Sequence, residues 1–159
     1  MSDQPAFRWR RSDLALAALL LTLLVGGYFA AQYFTAHGEQ NLPLSSCDLN
    51  RQDCLLELPG GGSLSLAMTP KPAPTLQPIS LHVAITGRSV QSVAVDLGGA
   101  EMEMGHNRPQ LTALGNGRFT GQATLPVCVT GRMLWQATLL LDTGHGVIAA
   151  PFRFTTGGR

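Results

Sequence analysis

The sequence predicts an all-β chain: an antiparallel immunoglobulin-like β-sandwich preceded by one N-terminal transmembrane helix. Three observations carry this. Residues 14–34 contain no charged side chain. Beyond them, short segments alternate apolar and polar residues with the period of two that a half-buried strand needs. Turns rich in glycine, proline and asparagine separate those segments at intervals of roughly 8–12 residues, with no helical period.

At 1.5 Å rise per residue the apolar run reaches roughly 30 Å, the thickness of a bilayer's hydrocarbon core. Arg8, Arg10 and Arg11 stand immediately before it. Positive charge stays on the cytoplasmic side, so the N-terminus is expected inside and everything after Phe34 outside. A cleaved signal peptide is the competing reading, with an h-region over residues 14–25 and small residues at Ala30 and Ala31. The run is long for a signal peptide, and Tyr28, Phe29, Tyr33 and Phe34 suit an outer membrane interface. The sequence therefore favours a retained single-pass anchor whose partner is the lipid bilayer. The expected partition is a cytoplasmic N-terminus over residues 1–13, the helix over 14–34, a polar stalk over 35–46, and a domain over 47–159.

From Thr35 onward the chain holds eight acidic residues and eight lysines or arginines, with no basic patch or stripe. Nucleic acid is therefore not an expected partner. All three cysteines fall in this exported part. Cys47 and Cys54 flank the polar turn Asp48-Leu49-Asn50-Arg51-Gln52-Asp53, and an oxidising compartment permits a bridge between them. Closing so short a loop contributes about 2–2.5 kcal/mol in the chain-entropy treatment. Cys128 is left over; burial, pairing with another chain and metal binding are all open to it.

The strands follow in order. Residues 55–58 are a short strand stopped by Pro59-Gly60-Gly61-Gly62, and Leu64, Leu66 and Met68 alternate on the next, as in a hairpin. Pro70, Pro72 and Pro74 mark an extended, unpaired crossover. Ile79, Leu81, Val83 and Ile85 share one face, with Ser80, His82 and Thr86 on the other. Val93, Val95 and Leu97 repeat the pattern, with Asp96 outward. Gly115-Asn116-Gly117 is a tight hairpin turn. After it Phe119, Gly121, Ala123 and Leu125 face inward. Met133, Trp135, Ala137, Leu139 and Leu141 share a face, residues 142–146 turn the chain, and residues 147–155 close the domain with Phe152 and Phe154 inward. Seven to nine strands result.

The chemistry-bearing stretch is Glu101-Met102-Glu103-Met104-Gly105-His106. On an extended strand, side chains at i, i+2 and i+4 lie on one face, so Met102, Met104 and His106 would line up. Two thioethers and an imidazole are soft to borderline ligands that favour Cu(I). Thioethers also carry no proton to lose on binding. A second stretch, Pro126 to Trp135 in sequence, places Cys128 and Met133 about a turn at Thr130-Gly131, and either could complete the set at one end of the sandwich. Against this, methionine commonly fills cores, and Met133 shares its face with Trp135 and Leu139. His82 reads as a solvent-face residue and His145 as a turn residue. Enzyme constellations are absent: there is no Cys-x-x-Cys, no glycine-rich phosphate loop opening a helix, and no Ser-His-Asp pattern. The chain is not expected to be an enzyme.

An anchor, a small exported β-domain with a methionine-rich strand, a Gly-Asn-Gly-Arg-Phe hairpin, an aromatic Gly-Arg-Met-Leu-Trp strand and a closing Phe-Arg-Phe strand together resemble the small membrane-tethered proteins of the YtkA-like and FixH-like kind. The resemblance spans most of residues 47–156. It implies a bacterial inner-membrane protein with its C-terminal domain in the periplasm, binding Cu(I) as an aid to haem–copper oxidase assembly. It also implies a respiratory oxidase subunit or a copper chaperone as partner. Met102, Met104 and His106 correspond best to the metal-handling strand, with Cys128 and Met133 as further candidates. The sequence departs from copper carriers of the Sco type in lacking Cys-x-x-x-Cys, and it has no long tail rich in histidine and methionine. The alternative from another class is a metal-free interaction module docking on a membrane complex.

Overall fold

Leucine and alanine, neither branched at Cβ, dominate residues 14–24 and favour helix. The structure, a computed structural model describing residues 11–36, 38–102, 105, 107–126 and 131–157, begins with helix α1 (Arg11–Ala36). Residues Ser12–Ala31 within it are long and apolar enough to cross a membrane. Apolar side chains are exposed on every side of the helix, so no single stripe seeks a protein core. Thr22 turns its hydroxyl back to the carbonyls of Ala18 and Leu19, at 3.0 and 2.8 Å, so this polar side chain is satisfied within the helix.

A separate compact unit runs from Glu39 to Arg159. Its described residues form nine strands: β1 (Glu39–Asn41), β2 (Cys54–Glu57), β3 (Ser63–Thr69), β4 (Pro78–Thr86), β5 (Ser92–Gly99), β6 (Thr112–Gly115), β7 (Arg118–Thr124), β8 (Met133–Asp142) and β9 (Val147–Thr156). One sheet has the order β1-β9-β8-β5 and the other β2-β3-β4-β7-β6. Within these, β3-β4-β7-β6 and β9-β8-β5 reproduce the four-plus-three arrangement of a constant-type immunoglobulin domain. Strands β1 and β2 are additions at the edges.

Burial follows the alternation read from the sequence. Strand β8 alternates buried and half-buried residues along its whole length, with Met133, Trp135, Ala137, Leu139 and Leu141 inward. These meet Leu64, Leu66, Ile79, Leu81 and Val83 of the opposite sheet in one core. Gly115 pairs with Arg118 across a two-residue turn in which Asn116 and Gly117 both have positive φ, as a type I′ hairpin requires. A β-carbon at Gly117 would stand 2.2 Å from the Ile85 carbonyl, so glycine is needed there twice over.

Two segments change sheets, and the sequence pattern announced neither. Residues 39–49 run along β9 in parallel: Leu42, Ser45 and Leu49 donate to the carbonyls of Ala149, Pro151 and Arg153. The domain thus begins at Glu39, and the expected stalk over 35–46 is in part an edge strand. The chain then crosses to β2 through the Cys47–Cys54 disulfide, whose Cα atoms are 5.7 Å apart. On the opposite flank, residues 107–111 lie antiparallel to β5, with Val95 and Leu97 donating to Pro109 and Asn107 and Leu111 donating to Val93. That chain continues as β6 on the other sheet. Strands β9 and β5 therefore each carry a further hydrogen-bonded segment on their outer side.

Candidate metal-binding end of the sandwich

Strand direction fixes which loops meet. Glu39 pairs with Val147, Val147 with Asp142, and Asp142 with Ser92, so the chain enters the domain at one end, here called proximal. Strand β5 leaves this end and finishes at Gly99, opposite Trp135, while β7 finishes at Thr124 and β8 starts at Met133. The described residues that flank the methionine-rich segment and the segment carrying Cys128 therefore both lie at the opposite, distal end.

Their described ends are joined directly. Ala100 donates to the Leu134 carbonyl at 2.9 Å, at the start of the methionine-rich segment. At its finish, Asn107 Nδ2 donates to the Thr124 carbonyl at 3.1 Å. Thr124 and Leu134 flank the Cys128 segment on either side, so the two segments share both anchor points. Gly131 stands against the end of β9: a β-carbon at Gly157 would fall 1.7 Å from the Gly131 carbonyl. Neither anchor was read from the sequence; Asn107 was the available signal, a side-chain amide suited to holding a loop carbonyl.

The individual candidates fare differently. Strand β5 stops at Gly98-Gly99, where two residues without side chains weaken pairing, and Glu101 and Met102 follow in a bend. The expected extended strand through Met102 is thus corrected to a loop. Met102 is 44% exposed at this end. Met104, His106 and Cys128 lie outside the described residues. Met133 is 5% exposed and Met68 1%, both in the core, so Met133 faces inward with Trp135. Cys47 and Cys54 are joined as expected. His82 is exposed, 3.3 Å from the Thr120 hydroxyl, and His145 is exposed in its turn.

An open depression of about 340 Å³ at the distal end is lined by Glu101, Arg132, Leu134 and Thr155. A second, of about 220 Å³, shares Leu134 and Thr155 and extends to Ser45, Cys47, Asp48 and Arg153. Arg108 is already engaged: it donates to Asp96 at 2.7 Å, and that carboxylate holds the guanidinium pKa above its ordinary value. Among the described residues, no group of three histidine, cysteine, aspartate or glutamate side chains is placed to hold a metal ion. Soft thioether donors are a different class from that group.

No protein-family model matches the chain, and no curated protein matches it. The chain is similar over part of its length to two solved structures. One is an engineered protein, 18% identical over 61% of this chain, with a TM-score of 0.43. The other is a DUF4785 family protein from Legionella pneumophila, 16% identical over 60% of this chain, also with a TM-score of 0.43. The chain spans only 20% and 28% of those proteins' lengths.

Proposed function

We propose that this chain is a membrane-tethered accessory protein that acts by binding, taking up Cu(I) at the distal end of its sandwich. The observation that carries the reading is the double junction of the two candidate segments, Ala100 to Leu134 and Asn107 to Thr124. It joins residues on either side of the methionine-rich segment to residues on either side of the segment that carries Cys128. Met102 supports it further, because an exposed thioether is not a core filler while Met68 and Met133 are. In this reading α1 is a retained anchor with its N-terminus in the cytoplasm, and the disulfide-bearing domain works in the periplasm of a bacterium. The partners are an oxidase subunit or a copper carrier, and the copper serves assembly of a haem–copper oxidase.

The test is a competition titration of the full chain in detergent against a chromogenic Cu(I) chelator under anaerobic conditions. One equivalent withdrawn from the chelator is expected. No withdrawal leaves the second reading, a metal-free docking module. That reading is favoured by the two open depressions that share Leu134 and Thr155, with both charge signs among their lining residues.

A further inference from the structure

We propose that Cys47 and Cys54 are a redox-gated site for one soft metal ion: closed as the disulfide, and open as a dithiolate once a dithiol reductant parts them. The proposal does not rest on the distal-end reading, since it uses neither the thioethers nor Cys128.

The crossover keeps its course without the bridge. Leu49 is fully buried in the core. Asn50 donates from Nδ2 to the Thr155 carbonyl at 2.6 Å, and its Oδ1 accepts from Ala73 N at 3.0 Å, tying the loop to two other segments. Asp48 caps the turn by accepting from Asn50 N at 3.0 Å, and its carbonyl accepts from Arg51 and Gln52. Asp53 is paired with Lys71. Core burial and hydrogen bonds therefore hold Cys47 and Cys54 with their Cα atoms near the 5.7 Å of the bridged form, close enough for both sulfurs to bind one ion.

The two sulfurs are unequal. Cys47 is half-buried and lines the open 220 Å³ depression with Asp48 and Arg153, whereas Cys54 is fully buried. An incoming thiolate therefore attacks Cys47 Sγ, forming a mixed disulfide and releasing Cys54 as thiolate. The second thiol of the reductant then displaces Cys47. Two electrons and two protons pass to the protein, and the reductant leaves as its own disulfide. The two thiols bind a soft ion with loss of both protons, and paired thiolates select Cu(I) over hard cations. The resulting Cu(I) bis-thiolate carries one negative charge, and Arg153 lines the same depression.

The experiment uses the full chain in detergent with Met102→Leu, Met104→Leu, His106→Asn and Cys128→Ser, which removes the distal donors. Cu(I) is titrated against a chromogenic chelator, anaerobically, on the oxidised chain and on the chain pre-reduced with a phosphine that is then removed. Near-ultraviolet circular dichroism of the buried Trp135 reports whether the fold persists. The expected result is one equivalent bound by the reduced chain, with a thiolate-to-Cu(I) charge-transfer band, and none by the oxidised chain. Adding Cys47→Ser should abolish binding with the Trp135 signal intact. The proposal is overturned if the reduced chain takes up no Cu(I), if oxidised and reduced chains bind alike, or if reduction erases the Trp135 signal. Failure of the distal-end reading shows separately, as no uptake by the oxidised wild-type chain.

Discussion

Trp135 Nε1 donates to Thr156 Oγ1 at 2.8 Å inside the core, where Thr156 is the one buried polar residue among those described. The pair links β8 to the last residue of β9, and the indole lies stacked with Phe154 at 6.5 Å between ring centroids. Thr156→Val keeps the shape and removes the acceptor, leaving a buried N–H without a partner. The expected cost is about 1–3 kcal/mol. Denaturant unfolding of the full chain in detergent, followed by near-ultraviolet circular dichroism, checks it; an unchanged midpoint would show that the hydrogen bond contributes nothing.

The disulfide makes two measurable statements. Alkylation of the native chain without reductant should label Cys128 alone, with Cys47 and Cys54 protected. Replacing both Cys47 and Cys54 by serine should lower stability by about 2–2.5 kcal/mol through the freed denatured chain, without loss of the fold.

The methionines separate by position. Met102→Leu with Met104→Leu keeps volume and hydrophobicity, so folding should change little. Cu(I) affinity of the oxidised chain should fall at least roughly tenfold, about 1.4 kcal/mol. Met133→Leu repacks a core position and should leave affinity as it was. Equal effects from both changes would place the copper elsewhere, with Cys128 next to be tested.

The anchor is tested by fractionation. Membranes should hold a full-length chain that resists carbonate extraction, because Ser12–Ala31 is long and apolar enough to span. A soluble product starting near Gln32 or His37 would instead identify a cleaved signal peptide.

Gly121 records a contact that the strand pattern hides. It was expected to face the core, and Leu111 fills the space its missing side chain leaves: a β-carbon there would stand 2.4 Å from Leu111 Cδ2. Gly121→Val should therefore overpack the site and destabilise the domain by about 1–3 kcal/mol, read as a lower denaturation midpoint.

What the sequence determined by itself is whatever a local period encodes. The alternation from Met133 to Leu141 set the inward face of β8, Asn116-Gly117 set the hairpin, and the uncharged run set α1. Each depends on residues a few positions apart, because strand pleat, turn dihedrals and helix rise are local geometry. The nearness of Cys47 to Cys54 across one polar turn was enough for their pairing. Only the tertiary structure decided the rest. Residues 39–49 ran along β9, with β1 at their start, because β9 offered carbonyls beside them, and residues 107–111 covered β5 in the same way. Glu101 and Met102 left the strand because β5 ends at its glycines, and Ala100 and Asn107 were tied by hydrogen bonds to Leu134 and Thr124. Those partners are separated by long stretches of chain, and no periodicity within either segment carries the position of the other.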